Sequence, residues 1–325
     1  FWWISAIEYQ PMIASLALQV FSIAFTLKAI ESQTRLEKLG YAIGSILTGW
    51  GYIALVDYAI GMESFRFIAV YLLVNRASPG MAWRRILAGV KAWAWTLIIP
   101  LGIAFWRLFF FTNERKATDI GVQLGVFLSQ PVATTANWFF QFYASLVHLS
   151  VLAWIDQFPA FIESMRLRDT ALGLLQSGLV VLLVIFAERR INLQAESQAG
   201  DGSQLQVTKE ALFLGGLGMM FGILPVIVAN RYVNISGFSH YGLPASLAAA
   251  LFMVGVVEVI SIRSLRKVAL YVVIAFAVLS HFGIATNAVT EETALQKFWR
   301  QVSWRVPALR PGTPSVGAGG KVMTK

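Results

Sequence analysis

Long apolar stretches separated by short polar segments run along almost the whole chain. Each stretch holds about 18 to 23 residues, the length that a helix needs to cross a hydrocarbon core about 30 Å thick. The pattern predicts about eight membrane-spanning helices, with seven or nine as alternatives. They lie near residues 11–27, 41–62, 93–111, 138–154, 171–187, 211–229, 243–262 and 268–286.

The composition supports a membrane protein rather than a soluble one. Hydrophobic residues make up 57% of the 325 residues and charged residues only 13%, with a mean hydropathy of +0.65. Soluble domains are about half apolar and a quarter charged. Because lipid offers no partners to backbone groups, the stretches must form helices. The expected fold class is therefore all-α, a polytopic transmembrane helical bundle with interfacial amphipathic helices.

The segments between the spans suggest how the chain is divided. Basic and apolar residues alternate at helical spacing over residues 75–93, which predicts an amphipathic helix on the membrane surface. The stretch 189–210 reads as a long hydrophilic loop. We expect a transmembrane domain at 1–289, an interfacial amphipathic exit segment at 290–313 and a flexible tail at 314–325. The opening FWWISAIEYQ, without Met, suggests that N-terminal sequence is missing.

Charge and cysteine content exclude several classes of function. The net charge is +9, but Lys and Arg lie mostly in the short segments between spans, as membrane topology requires, which argues against nucleic-acid binding. With no cysteine there is no disulfide framework and no thiolate metal site. We expect membrane lipids as partners, no cofactor, and a location in the bacterial cytoplasmic membrane.

Ionisable side chains inside a span are costly and therefore count as candidate functional residues. The motif DYAIGMESFR holds Asp57, Glu63 and Arg66, which we interpret as an intramembrane polar cluster. Glu63 and Arg66 are i,i+3 neighbours that can pair on a helix. The cluster is either an ion pair at a helix end or the wall of a polar cavity.

Basic residues at span ends are candidate contacts for lipid phosphate. The candidate contacts for lipid phosphate or substrate are six basic residues and one histidine, which lies in the short connection RYVNISGFSHYGLP. These residues are Arg107, Arg115, Lys116, Arg231, His240, Arg300 and Arg305. The alternative for the arginines is snorkelling toward lipid headgroups, and for the histidine a packing role. No histidine has the spacing of a zinc site, so no metal is expected.

Four segments, in order, resemble a family of uncharacterised polytopic membrane proteins from Chloroflexi-type bacteria. They are DYAIGMESFR, IIPLGIAFWRLFFFTNERKATD, RYVNISGFSHYGLPASLAAALFMVG and LQKFWRQVSWRVPALRPGT. The resemblance covers most of residues 50–313. Where these relatives carry an Asp-Arg pair, this chain has Ser239-His240. The resemblance to this family implies no particular activity and no catalytic residue.

The layout of that family is similar to membrane glycosyltransferases of the C superfamily, which take sugars from polyprenyl-phosphate donors. The similarity implies a catalytic carboxylate in a loop upstream of Phe1. It is a likeness of layout, so it supports a hypothesis and no more. The first hypothesis is a glycosyltransferase-like enzyme acting on a lipid-linked sugar. The alternative is a non-catalytic membrane scaffold or accessory subunit, and a transporter ranks third.

Overall fold

The computed structural model describes residues 2–77, 81–110, 120–155, 166–195, 202–234, 239–305, 315–316 and 322–323. These residues are almost entirely helical. The helices are α1 (Trp2–Glu31), α2 (Arg35–Leu55), α3 (Met62–Ala77), α4 (Ala82–Trp93), α5 (Ile98–Phe109), α6 (Ile120–Ser129), α7 (Pro131–Val147), α8 (Ala153–Ile155), α9 (Leu167–Ala195), α10 (Gly202–Val228), α11 (Ser246–Glu258) and α12 (Arg263–Arg305).

Short turns connect several of these helices. Three are 3₁₀ turns, at Asp57–Gly61, Ala94–Leu97 and Ser239–Gly242, and a π-helical turn at His148–Leu152 joins α7 to α8. Near the C-terminus, β1 (Ser315–Val316) pairs antiparallel with β2 (Val322–Met323). The described chain is therefore a helical bundle with one two-residue strand pair.

Six helical segments in the described part of the chain are long and apolar enough to cross a membrane. They are Gln10–Glu31, Ala82–Arg107, Pro131–Ile155, Leu167–Arg190, Leu205–Val228 and Arg263–Trp304. A shorter apolar helix, Ser246–Glu258, accompanies them. The polytopic membrane fold expected from the sequence is supported at this level.

Several predicted boundaries differ from the observed ones. The predicted span 41–62 is interrupted at Val56, whose extended backbone (φ −142°, ψ 95°) ends α2 before a 3₁₀ turn begins. The predicted surface helix at 75–93 instead contains α4, which continues through Ala94–Leu97 into α5 as one apolar segment. An amphipathic helix is therefore present in the predicted range, as α4, but it leads directly into the apolar residues that follow.

One predicted connection is mainly helical. The stretch 189–210, expected to be a loop, belongs to α9 up to Ala195 and to α10 from Gly202 onward. At the expected domain boundary between 289 and 290, α12 continues as one helix. Residues 284–305 contain neither Gly nor Pro, so nothing in the local sequence stops the helix. The interfacial exit segment and the tail beyond it stay predictions.

The helices pack most closely where small residues remove side-chain bulk. On α10, a Cβ at Gly218 would collide with the ring of Phe65 and with the Ala248 methyl group at 2.8 Å. A Cβ at Gly222 would lie 3.0 Å from the Met62 sulfur. Small residues at helix interfaces are typical of packing in membranes. They bring α3, α10 and α11 together and fix the position of α3, which carries the charged motif.

Candidate functional site

The motif DYAIGMESFR supplies charged groups to two different places in the bundle. Asp57 begins the 3₁₀ turn Asp57–Gly61, whereas Glu63 and Arg66 lie in the first two turns of α3. The structure thus divides the predicted cluster of three residues in two. One part is buried between helices, and the other lies at an end of the bundle.

The buried part is centred on the Arg66 guanidinium, which has no exposed surface. Its Nη1 donates to Thr26 Oγ1 and Ser45 Oγ, each at 2.8 Å, and its Nη2 donates to Ser22 Oγ at 2.6 Å. Nη2 also lies 3.0 Å from Glu63 Oε1. Three hydroxyls from α1 and α2 therefore surround an ion pair within α3.

A tyrosine completes this arrangement. The Tyr52 hydroxyl donates to Glu63 Oε1, and its ring is fully buried. Buried charges are tolerated where they are paired and hydrogen-bonded. We refer to Ser22, Thr26, Ser45, Tyr52, Glu63 and Arg66 as the Arg66 cluster. Its contacts join α1, α2 and α3, which indicates a structural role.

The second part is an ion pair just beyond the C-terminal end of α2. Asp57 Oδ2 lies 2.8 Å from Arg107 Nη1, and their side chains are 45% and 35% exposed. Asp57 follows α2, whereas Arg107 lies in the last turn of α5. The pair is therefore formed between distant segments and can be reached from outside the protein.

A group of aromatic rings begins at Tyr58, the residue that follows Asp57 in the chain. The Tyr58 ring contacts Tyr241 edge-on with centroids 5.4 Å apart, and His240 lies 4.1 Å from Tyr241. The Tyr58 hydroxyl donates to the backbone oxygen of His240 at 3.4 Å. We call Asp57, Tyr58, Arg107, His240 and Tyr241 the Asp57 site. Of the candidates chosen from the sequence, Asp57 and Arg107 are in direct contact, and His240 is linked to the same turn through Tyr58.

A scan against protein-family models matched none of them, and searches of curated proteins and of solved structures found no match either. Function is therefore inferred from the geometry of the described residues. Among those residues, no group of three His, Asp or Glu side chains could hold a metal ion.

The remaining described candidates, Arg231 and Arg300, lie in other segments of the chain. Arg231 is exposed and follows the end of α10, where Asn230 adopts a positive φ of 54°. Arg300 lies on the exposed last part of α12, on a surface formed with neighbours on the same helix. Arg115 and Lys116 lie outside the described residues, as does the side chain of Arg305.

Sequence reasoning missed the hydroxyl partners of Arg66, although a signal for them exists. Ser15, Gln19, Ser22 and Thr26 are all buried, and their spacing of four, three and four residues places them on one face of α1. A polar stripe on an apolar helix indicates a buried polar partner. The ring of Tyr241, by contrast, carried no distinguishing pattern.

Proposed function

We propose that the protein is a glycosyltransferase-like membrane enzyme that takes a sugar from a polyprenyl-phosphate donor at the Asp57 site. The observation that carries this proposal is the accessible pairing of the Asp57 carboxylate with the Arg107 guanidinium. A carboxylate can act as a general base, and a guanidinium is suited to phosphate. The layout resemblance suggested by the sequence implies a carboxylate upstream of Phe1, so the role given to Asp57 rests on the geometry of this ion pair alone.

In the proposed reaction, Asp57 accepts the proton of the acceptor hydroxyl while that oxygen bonds to the anomeric carbon of the sugar. The bond from this carbon to the phosphate oxygen breaks, and its electron pair leaves with polyprenyl phosphate. Arg107 pairs with the charge on the departing phosphate. Since Arg107 holds Asp57 at 2.8 Å, a bound phosphate would compete for Arg107 and free the carboxylate.

The rings of the Asp57 site have a separate role in this proposal. Tyr58, which follows Asp57, contacts Tyr241, and Tyr241 contacts His240. Aromatic side chains combine a large apolar surface with a polar handle, which suits the sugar or the first isoprene unit of the donor. Specificity for the donor would therefore depend on these rings, and turnover on Asp57.

The test is release of polyprenyl phosphate from a polyprenyl-phosphate sugar, with bacterial membranes supplying the acceptor. We expect Asp57→Asn to lower turnover by about 10²-fold or more, as removal of a general base does. Arg107→Gln should raise KM for the donor. Glu210→Gln is the matched control, because Glu210 also pairs with an arginine, Arg76, but at the other end of α3.

Two results would contradict the proposal. One is the absence of any polyprenyl phosphate release by the wild-type protein. The other is equal activity of the wild-type protein and Asp57→Asn when both are purified in the same amount and oligomeric form.

A scaffold or accessory subunit is the second candidate, and one feature of α12 favours it. At 1.5 Å per residue, its 43 residues extend about 64 Å, roughly twice the hydrocarbon thickness of a membrane. Its last part exposes Phe298, Trp299 and Trp304. Affinity purification of the wild type and of the double variant Trp299→Ser/Trp304→Ser tests this role. The scaffold role requires that a partner protein co-purifies in stoichiometric amount with the wild type and is lost from the variant.

Eight membrane crossings in the bacterial cytoplasmic membrane also belong to this proposal. Two further helices, α2 and α11, overlap the predicted spans 41–62 and 243–262 and would bring the six long apolar segments to eight. Since the sequence contains no cysteine, single cysteines introduced between helices can be labelled from each side without background. Labelling that requires fewer than seven or more than nine crossings would refute the count.

A further inference from the structure

A basic groove lies at the far end of α2 from the Asp57 site. It has a volume of about 600 Å³ and lies between the end of α1, the first turns of α2 and the end of α4. Three cationic side chains line it: Arg35, Lys38 and Lys91. Arg35 and Asp57 are separated along α2 by about 33 Å at 1.5 Å per residue, so the two sites are distinct.

The charged residues that line this groove are all basic, and Glu37 of the first turn of α2 is not among them. No acidic side chain is among its lining residues, and Arg35, Lys38 and Lys91 form no ion pair with a described acidic residue. The nearby Glu31 is paired with Lys28 at 3.2 Å. Arg35 and Lys38 also lie at the N-terminus of α2, the positive end of the helix dipole. An anion is the ligand that this electrostatic environment favours.

The walls of the groove are apolar and lead onto an exposed apolar face of α2. Ile30, Leu39 and Trp95 line it, and tryptophan is typical of the membrane interface. From Leu39, the side chains of Ile43 and Leu47 continue at intervals of four residues on one face of α2. All three are about half exposed or more. A hydrocarbon chain attached to the bound anion has a continuous apolar track to follow.

We propose that this groove binds an anionic membrane phospholipid. The phosphate is held by Arg35, Lys38 and Lys91, and an acyl chain lies along Leu39, Ile43 and Leu47. The site is independent of the proposed transfer reaction, because it shares no residue with the Asp57 site. A soluble phosphate would satisfy the cations but would leave the apolar track unused.

The test compares lipid binding by the wild type and by Arg35→Gln/Lys38→Gln/Lys91→Gln in detergent. Fluorescent phosphatidylglycerol and phosphatidylcholine are the probes. We expect wild type to prefer phosphatidylglycerol at least tenfold, and the triple variant to lose that preference, since each cation near a lipid phosphate contributes roughly a fivefold effect. Lys28→Gln is the matched control, because Lys28 belongs to the same end of the bundle but does not line the groove.

A second variant separates lipid from free phosphate. The triple variant Leu39→Gln/Ile43→Gln/Leu47→Gln keeps the three cations and removes the apolar track. It should therefore bind phosphatidylglycerol more weakly than the wild type. Inorganic phosphate should compete with the lipid no better in this variant than in the wild type. All the substituted side chains are exposed or half exposed, and gel filtration checks that each variant folds. Unchanged lipid preference in the cation variant, equal loss in Lys28→Gln, or full displacement by millimolar phosphate would each overturn the proposal.

Discussion

Two ion pairs originate in the same ten residues, yet they have opposite surroundings. Glu63 and Arg66 pair within α3 at 3.0 Å and are buried, whereas Asp57 pairs with Arg107 of α5 and both side chains are partly exposed. The first pair is enclosed by hydroxyls from α1 and α2. Burial rather than charge therefore distinguishes a pair that holds helices together from one that a ligand can approach.

The backbone explains why neighbouring charges separate in this way. The extended conformation of Val56 ends α2, and the 3₁₀ turn that follows places Asp57 at the end of the bundle. Gly61 then brings the chain against α10, where a Cβ would collide with the backbone oxygen of Phe221. From Met62 onward α3 enters the bundle, so Glu63 and Arg66 become buried.

The largest effect should come from removing one partner of the buried pair. Arg66→Met leaves the Glu63 carboxylate buried without a compensating charge, which costs about 3–5 kcal/mol in such cases. We expect a corresponding loss in the free energy of unfolding, measured by SDS titration in mixed micelles with far-UV circular dichroism. A loss below about 1 kcal/mol would show that the pair does not stabilise the bundle.

A smaller loss is expected when both charges are removed together. In Glu63→Gln/Arg66→Met no charge remains buried, the Gln amide oxygen still accepts from Tyr52, and Ser22 and Ser45 keep their bonds to each other's backbone oxygens. The double variant should therefore be roughly 1–3 kcal/mol more stable than Arg66→Met alone. The same SDS titration measures both, and simple additivity of the two single losses would contradict the expectation.

The sequence predicts contacts between residues that are close along the chain and misses contacts between residues that are far apart. The apolar stretches predict helices because length and hydropathy are local properties. The i,i+3 spacing likewise predicts the contact between Glu63 and Arg66. The pairing of Asp57 with Arg107 joins residues fifty positions apart, and no local pattern encodes it.

The basic groove was not predicted for a related reason. Arg35 and Lys38 resemble ordinary charges of a loop, and Lys91 was assigned to a surface helix. They line one groove only because the end of α4 lies across from the end of α1 and the start of α2.

The smallest effect on stability should come from the exposed pair of the comparison. Partly exposed ion pairs contribute about 0–1 kcal/mol, because solvent screens them. Asp57→Asn and Arg107→Gln should thus each lower the free energy of unfolding by less than about 1 kcal/mol, in the same SDS titration as the Arg66 variants. If either variant were destabilised as strongly as Arg66→Met, the Asp57 site would be part of the structural framework. A loss of turnover in Asp57→Asn would then report damage to the fold rather than loss of a base.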